Sequence, residues 1–232
     1  MTTKGHRAAR RTDALSKEVI VQAATEILDA DGEAALTFRT LTRHLHTGYG
    51  AIYHRVANKS DLLSAAADRV IDRVVAGPAA DAGPREALRS LALGLFDAID
   101  AHPWVGAQLT REPWRPTLLE VYKSVAEQLQ ALDVPEEAVF DSAGALVNYI
   151  LGVAGQNAAN ARVLAGAEAD RDRLLAEIAA QWAQLDPVQH PWARGAARRL
   201  PEHDDRAQFL AGVDLILAGI EAVNGGRGAG AD

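Results

Sequence analysis

The stretch LTFRTLTRHLHTGYGAIYHRVANKSDLL, residues 36–63, decides the fold of this chain. Thr37 is a preferred helix N-cap residue, and the apolar residues between it and Leu45 recur at the spacing of one helical face. Residues 46–48 then leave room only for a tight turn before a second short helical pattern over residues 49–55. The stretch therefore predicts two short helices joined by a tight turn.

Longer amphipathic patterns flank the two short helices on both sides. Ser16 is placed to cap a helix that ends near Gly32, and Asn58 is placed to cap one that ends near Gly77. With another helix behind them to supply a core, two short helices can present the second one to the major groove of DNA. Residues 16–77 are therefore predicted to form a helix-turn-helix DNA-binding domain whose fourth helix is the connector. Helical hairpins also occur in folds that do not bind DNA, so the pattern alone leaves that alternative open.

The rest of the chain predicts a second, larger helical domain. Strands are not expected, because the chain is rich in Ala and Leu and alternation with period two is scarce. The fold class is therefore all-α, with the second domain over residues 84–222 and a disordered Gly-rich tail over residues 223–232. A long loop with some irregular helix is expected over residues 186–205. Helices are predicted over residues 85–101, 104–110, 114–132, 136–165, 168–185 and 205–222.

Charge separates the two ends of the chain. Residues 1–60 hold nine Lys and Arg against six Asp and Glu, whereas the remainder holds fifteen against twenty-five. A basic end on an acidic body suits a protein that offers one module to phosphate groups, because bound cations displace condensed counterions. Residues 1–15 are predicted to form a flexible basic arm, which either follows the DNA or serves as a solubilising tail.

Several function classes are disfavoured by what the sequence lacks. It has no cysteine, which excludes disulfides, thiolate metal sites and cysteine redox switches. It has no motif of a zinc protease, a serine hydrolase or a phosphate-binding loop, so we expect no enzyme, no metal and no cofactor. The long uncharged stretch over residues 142–161 contains several amide side chains and is interpreted as a buried helix, not a membrane span. We expect a soluble, cytoplasmic protein.

A family motif covers the same region. It is carried by Leu36-Thr37-Phe38-Arg39, Leu41, Leu45, Ile52-Tyr53, Val56, Asn58-Lys59 and Leu62-Leu63. These residues resemble the TetR family of bacterial transcriptional regulators, most closely its tetracycline-repressor branch, over about residues 16–75. The resemblance implies a homodimer that places one short helix of each subunit in successive major grooves of a palindromic operator. It also implies release by a small-molecule effector bound in the C-terminal domain. The alternative is a helical interaction protein of the same fold that has lost operator binding.

The resemblance implies a set of DNA-contacting residues. Tyr53 and Lys59 match phosphate-binding residues that set the register on the duplex, and Arg39 matches an Arg that can reach a guanine edge. The alternative for Tyr53 is that its ring only packs within the protein. The alternative for His54 is that its side chain is solvated and contacts no DNA. The positions of the second short helix that would face bases or nearby phosphate are Gly48, Tyr49, Gly50, Ala51 and His54.

The chain departs from the family pattern around the turn. Thr42 replaces a usual Ala, His46 a usual Gly and Thr47 a usual apolar residue. Because His is among the few non-glycine residues that tolerate a positive φ, the turn is expected to survive. Gly48 and Gly50 are each expected to weaken the following helix by about 1 kcal/mol relative to Ala.

Two residue sets are predicted in the C-terminal domain. By resemblance, the helix around residues 142–161 and the last helix would form a four-helix dimer interface, with packing inside one chain as the alternative. The interface residues are Gly152, Gly155, Phe209, Val213, Ile216, Leu217 and Ile220. Aromatic and polar side chains among aliphatic helices are typical of a ligand pocket, and equally of an ordinary core. The pocket residues are His102, Trp104, Trp114, Tyr122, Asn148, Tyr149 and Gln156.

Overall fold

The structure is a computed structural model that describes residues 15–77, 82–111, 115–166 and 171–228. Within these ranges the regular elements are all helical, as the sequence predicts. They are α1 (Lys17–Ala35), α2 (Phe38–His44), α3 (Tyr49–Tyr53), α4 (Lys59–Val75), α5 (Pro84–Ala101), α6 (Pro103–Arg111), α7 (Pro116–Ala131), α8 (Glu136–Gly166), α9 (Arg171–Ala183), α10 (Ala193–Arg199) and α11 (Asp205–Gly228), with a 3₁₀ turn at Leu200–Glu202. The basic arm before Leu15 and the predicted pocket residue Trp114 lie outside the described residues.

Helix α1 begins as predicted but ends differently. The Ser16 hydroxyl accepts a hydrogen bond from the backbone amide of Val19 at 3.3 Å and so caps the first turn. At Gly32 φ is 75°, a left-handed conformation that costs a residue without Cβ little. The regular helix is interrupted there, and a final turn continues to Ala35. Leu36, which follows, is fully buried.

Helix α2 starts with a reciprocal cap. The Thr37 hydroxyl accepts from the Thr40 amide at 3.1 Å, and the Thr40 hydroxyl accepts from the Thr37 amide at 2.9 Å. Two backbone donors that a helix leaves without partners are satisfied in this way. The short helix is therefore well anchored at the end where the chain enters it.

The turn between α2 and α3 keeps its shape without glycine at its left-handed position. His46 has φ 49°, which confirms the expectation that this residue adopts the positive φ of the turn. Helix α3 ends at Tyr53, two residues before the predicted end. Gly48 is the N-cap and lies outside the helix, so the expected cost of a helical glycine applies to Gly50 alone.

One continuous core runs through both halves of the molecule. In the first half, Ile20 of α1, Leu41 of α2, Ile52 of α3 and Ile71 of α4 are almost completely buried. In the second half α8 is central, since it packs against α5, α6, α7 and α11. The large, fully buried side chains of that half include Leu88, Leu95, Ile99, Leu129, Leu146 and Phe209.

Helices α8 and α11 pack against each other, with the Tyr149 side chain of α8 lying directly against Gly212 of α11. A Cβ added at Gly212 of α11 would overlap the Tyr149 hydroxyl group of α8, so only glycine fits there. The same hydroxyl donates to the Phe209 carbonyl oxygen at 3.1 Å, and the two rings stack with centroids 5.6 Å apart. Burial raises the pKa of the Tyr149 phenol. This contact between α8 and α11 is thus part of the core of a single subunit.

Two predicted segments are more regular than expected. The irregular loop over residues 186–205 contains α10 and the 3₁₀ turn, both of which pack against α9. Helix α11 continues to Gly228, whereas the sequence predicts a disordered tail from Val223. The helical pattern is hidden there because small residues and glycine, which carry little periodic signal, replace large apolar ones.

Two helices are long and apolar enough to cross a membrane by length and composition alone. They comprise Glu136–Asn160 in α8 and Asp205–Asn224 in α11. Core helices of soluble proteins pass the same test, so this is weak evidence for a membrane. Of the apolar window in α8, 44% is buried inside the structure, against 17% in α11, which leaves α11 with an apolar face to cover.

Candidate DNA-binding surface and effector cleft

Helix α3 turns one face to the surroundings. Tyr49, Gly50, Tyr53 and His54 are exposed and lie at i, i+1, i+4 and i+5, along an arc of the helix that does not include the fully buried Ile52. Tyr49 keeps 50% of its surface and Tyr53 keeps 54%. Four of the residues predicted to contact DNA are therefore brought together on one accessible face.

Tyr53 is both packed and accessible. Its ring stacks on the ring of Phe38 in α2, with centroids 4.5 Å apart and planes inclined by 11°. The two alternatives weighed for this residue, packing and phosphate contact, are thus compatible. The stack links α3 to α2. Phe38 therefore helps to position Tyr53, a role that its place in the apolar pattern of α2 does not indicate.

The other predicted contacts near the turn differ in accessibility. Arg39 and Gly48 are exposed, whereas Ala51 is half-buried against the core. The end of α2 is tied to α1 by His44, whose Nε2 lies 2.9 Å from Oε2 of Glu26. Hydrogen bonds from Gln22 and His44 lower the pKa of the Glu26 carboxyl. The C-terminal end of α2 is therefore held in place by a side chain of α1.

Lys59 has a partner that the sequence does not announce. This half-buried residue at the start of α4 donates from Nζ to the Glu33 carbonyl oxygen at 2.7 Å. The Glu33 carboxylate accepts from Arg111 at 3.0 and 3.1 Å and from Gln108 at 3.4 Å, both in α6. Glu33 thereby joins α1, α4 and α6. Partners so far apart along the chain share no periodic signal, so only the fold reveals them.

Two predicted pocket residues instead connect the two halves of the molecule. Nδ1 of His102 lies 2.7 Å from Oδ1 of Asp29, and Nε1 of Trp104 donates to the same oxygen at 2.7 Å. Asp29 and Glu33 are one turn apart on α1 and both face α6. The polar ends of these aromatic residues are therefore used in a contact between α1 and the second half.

The remaining pocket residues are scattered. Tyr122 is half-buried against the core, Tyr149 holds α8 to α11, and Asn148 and Gln156 are exposed. The structure does not gather these side chains around one space. The predicted set mixed core, interface and surface positions because side-chain chemistry alone carries no information on which helix faces meet.

The predicted dimer residues also divide into two groups. Phe209, Val213 and Leu217 are completely buried inside the single chain, where Phe209 stacks between Phe96 and Tyr149, so they have no surface left for a partner subunit. The apolar face of α11 that the sequence predicts is present, but it covers α5 and α8 of its own subunit. The residues that keep accessible surface are Gly152, Gly155, Ile216 and Ile220.

A cleft of about 750 Å³ opens between the body of the second half and α9. It is a candidate site for a small-molecule effector, and we call it the effector cleft. One wall comes from α5 and the distal part of α8, and the other comes from α9 and the start of α11. Its lining comprises Phe96, Asp97, Asp100, Asn157, Asn160, Arg171, Leu174, Leu175, Ile178 and residues 203–206. No sequence pattern points to this set of residues, apart from the unusual length of the segment before α11.

Ion pairs line the effector cleft, and one of them crosses it. Arg206 binds Asp97 of α5 through two contacts, at 2.8 and 3.0 Å, and Arg171 of α9 binds Asp205 at 2.7 Å. The hydrogen bond to Asp97 raises the pKa of the Arg206 guanidinium. Nε2 of His203 lies 3.0 Å from the other carboxylate oxygen of Asp205. The two arginines are therefore already engaged by carboxylates.

Solved structures of known proteins match this chain over both the helix-turn-helix and the helical body. The transcriptional regulator SCO7222, a TetR from Streptomyces coelicolor, is 45% identical, with a TM-score of 0.83 over 90% of this chain and 99% of that one. BioQ, solved with its natural double-stranded DNA operator, is 30% identical, with a TM-score of 0.55 over 64% of this chain and 89% of that one.

Sequence comparisons agree with the structural ones. An HTH-type transcriptional regulator of Saccharopolyspora erythraea is 28% identical over 145 residues, which are 62% of this chain. The match spans 61% of the length of that regulator. The sequence profile of the tetracyclin repressor-like C-terminal domain matches residues 78–224. The chain therefore belongs to the TetR family of transcriptional regulators.

Proposed function

We propose that this protein is a DNA-binding repressor that acts in the cytoplasm as a homodimer on a palindromic operator and leaves it when a small molecule binds. The observation that carries the proposal is the exposed face of α3, where Tyr49 and Tyr53 lie on a helix anchored by the buried Ile52. The operator bound by BioQ supports duplex DNA as the partner. A role in binding, without catalysis, agrees with a family of regulators.

The residues on this surface suit different parts of the duplex. Tyr53 and Lys59 would contact phosphates, which sets position without reading sequence. A Lys ammonium has three donors, and the Glu33 carbonyl uses one, so two remain for a phosphate. Arg39 is exposed and can pair with the two acceptors of a guanine edge. Gly50 would let the backbone of α3 come close to the groove.

The proposed dimer interface lies on two adjacent helices and consists mainly of small and polar residues around the exposed Leu215. The apolar window of α11 is largely uncovered in one subunit, which supports a second copy as the cover. Small residues let helices approach closely, as a four-helix interface requires. The exposed stripe of α8 runs through Asn148, Gly152 and Gln156, and that of α11 runs through Ala211, Leu215, Ala218 and Ala222.

The effector would bind in the effector cleft. Its volume of about 750 Å³ lies within the range of small-molecule sites, and apolar and polar groups meet in its lining. The cleft lies in the part of the chain that the C-terminal family profile matches. Helix α5, which forms one wall, also packs against the connector α4, so occupancy of the cleft can influence the DNA-binding half.

Operator binding tests the proposal directly. A fluorescent duplex from the promoter region beside the gene is titrated with the wild-type protein and with Tyr53→Ala, Lys59→Ala and Arg39→Ala. The first two variants should weaken binding to every duplex by about tenfold, since each removes a phosphate contact. Arg39→Ala should also relax base preference by about 1 to 3 kcal/mol.

The matched control is Lys123→Ala, which removes an exposed cation on α7, far along the chain from the DNA-binding half. It should leave operator affinity unchanged. Thermal unfolding of each variant separates a lost contact from a lost fold. Equal binding by the wild type and all three surface variants would contradict the proposed surface, and absence of binding by the wild type would favour the interaction protein.

A further inference from the structure

The effector cleft has an unbalanced charge among its described lining residues. It holds the four carboxylates of Asp97, Asp100, Asp204 and Asp205 against two arginines. Both arginines are bound to carboxylates of the cleft, so neither offers a free guanidinium to an anionic ligand. An anion entering this space would have to break an existing ion pair or lie beside uncompensated negative charge.

Asp100 is placed to meet a ligand. It lies three residues after Asp97 on α5, so both side chains emerge from the same side of the helix. Whereas Asp97 is held by Arg206, no hydrogen bond or ion pair engages the Asp100 carboxylate within the described parts of the chain. Asp204 is occupied in another way, because its Oδ1 accepts from the Ala207 amide at 3.0 Å and caps α11.

The cleft also has an apolar side. Phe96 of α5 is buried with 5% of its surface exposed, and its ring stacks on Phe209 at 4.7 Å, which holds it in place. Leu174, Leu175 and Ile178 line the facing wall from α9. Asn157 and Asn160 of α8 add groups that both donate and accept hydrogen bonds. A ligand that fits must therefore combine an apolar part with polar edges.

We propose that the effector cleft takes a cationic amphiphile, an organic molecule with a positively charged nitrogen near Asp100 and an apolar ring system between Phe96 and α9. This inference rests on the proposed function, which makes the cleft the effector site. The negative charge of the cleft selects a cationic ligand. The apolar walls select a ligand whose remaining part is an apolar ring system, because desolvated ring surface supplies most of the affinity of such molecules.

Two dyes with the same xanthene ring system and opposite charge test the inference. Rhodamine 6G is a cation, and fluorescein is an anion at pH 8. Each is titrated with the purified full-length protein at low salt, and the dissociation constant is read from fluorescence anisotropy. We expect saturable binding of rhodamine 6G that is at least about tenfold tighter than binding of fluorescein.

An isosteric variant locates the charge. Asp100→Asn keeps the shape of the side chain but removes its charge, and should weaken rhodamine 6G binding by about fivefold, the effect typical of a partly solvated ion pair. The matched control is Asp133→Asn, an exposed carboxylate outside the cleft whose φ of 59° asparagine tolerates. It should not change the affinity for either dye.

Three results would overturn the inference: fluorescein binding as tightly as rhodamine 6G, no saturable binding of rhodamine 6G, or the same response from Asp100→Asn and Asp133→Asn. The operator titration, done on the same preparations without dye, reports on the proposed function separately. Intact operator binding with no preference for the cation would leave the repressor assignment standing and remove only the ligand class.

Discussion

At the scale of single residues, His46 shows a conflict between residue type and backbone conformation. Its φ of 49° lies in the left-handed region, where a side chain crowds the backbone and only a few residue types are tolerated. His54, eight residues later, has φ −66° and ordinary helical geometry. The two histidines therefore provide a matched pair for testing what the turn costs.

We expect opposite effects from the same substitution at these two sites. His46→Gly should raise the free energy of unfolding by about 0.5 to 1 kcal/mol, because glycine relieves the left-handed strain. His54→Gly should lower it by a similar amount, because there the glycine only increases the entropy of the unfolded chain. Urea denaturation followed by circular dichroism measures both. A loss of stability in His46→Gly would show that the histidine side chain makes a compensating contact.

Of the individual contact residues, the two tyrosines occupy places that the sequence predicts, whereas the partner of Lys59 is one that the sequence does not predict. The exposure of Tyr49 and Tyr53 agrees with their predicted places on the short helix, because residues at i and i+4 share one helix face, which here is accessible. The link between Lys59 and Glu33 could not be foreseen, since it joins an ammonium group to a backbone carbonyl that every residue possesses. Backbone acceptors carry no sequence signature.

At the scale of helices, two arginines connect the second half of the molecule to the first in different surroundings. Arg115, with 6% of its surface exposed, donates to the Ser64 hydroxyl at 2.9 Å, the Ser64 carbonyl at 2.6 Å and the Asp68 carboxylate at 2.7 Å. It fastens the start of α7 to α4. Arg111 at the end of α6 binds Glu33, but its side chain remains 56% exposed.

The two arginines should differ in their value to stability. Arg115→Ala should lower the free energy of unfolding by about 2 to 3 kcal/mol, because it leaves Asp68 and the Ser64 carbonyl without their charged donor. Arg111→Ala should lower it by less than about 1 kcal/mol, because solvent screens an exposed pair. Equal losses in urea denaturation would show that burial does not set the strength of these contacts.

Helix positions followed from periodicity, while helix partners did not. The predicted segments of α5, α6, α7 and α8 agree with the structure to within about two residues, because the first three have a clear apolar stripe, α8 is a long uncharged stretch, and residues such as Pro84 and Pro116 mark boundaries. The apolar stripe of α11 was assigned to a second subunit, yet Phe209 and Val213 pack inside their own chain. An apolar stripe indicates that a helix face is buried, but it does not identify the surface that covers it.

At the scale of the whole molecule, the proposed assembly depends on the outer faces of α8 and α11. Leu215 is 75% exposed and lies among small residues on the stripe of α11. Leu119 on α7 is similarly exposed, at 66%, but lies outside the proposed interface. The same substitution at both leucines separates an effect on assembly from an effect of surface charge.

Leu215→Asp should convert the dimer to monomers at micromolar concentration, because each interface would bury two uncompensated carboxylates. Operator affinity should fall by at least about tenfold, since one subunit reaches only one half-site. Leu119→Asp should change neither property. Sedimentation velocity and the operator titration measure these effects, and a dimeric Leu215→Asp protein would place the interface elsewhere.

The amino-acid sequence by itself determined the helical class, the helix-turn-helix over residues 36–63 and the family, because these depend on short-range patterns of apolar, capping and turn residues. Only the tertiary structure decided that α9 and α11 enclose a cleft with α5, that Asp100 lies in it without an ion-pair partner among the described residues, and that Glu33 joins three helices. Those features arise where helices distant in sequence meet. Which faces meet is a property of the packing of the complete chain, which no local pattern encodes.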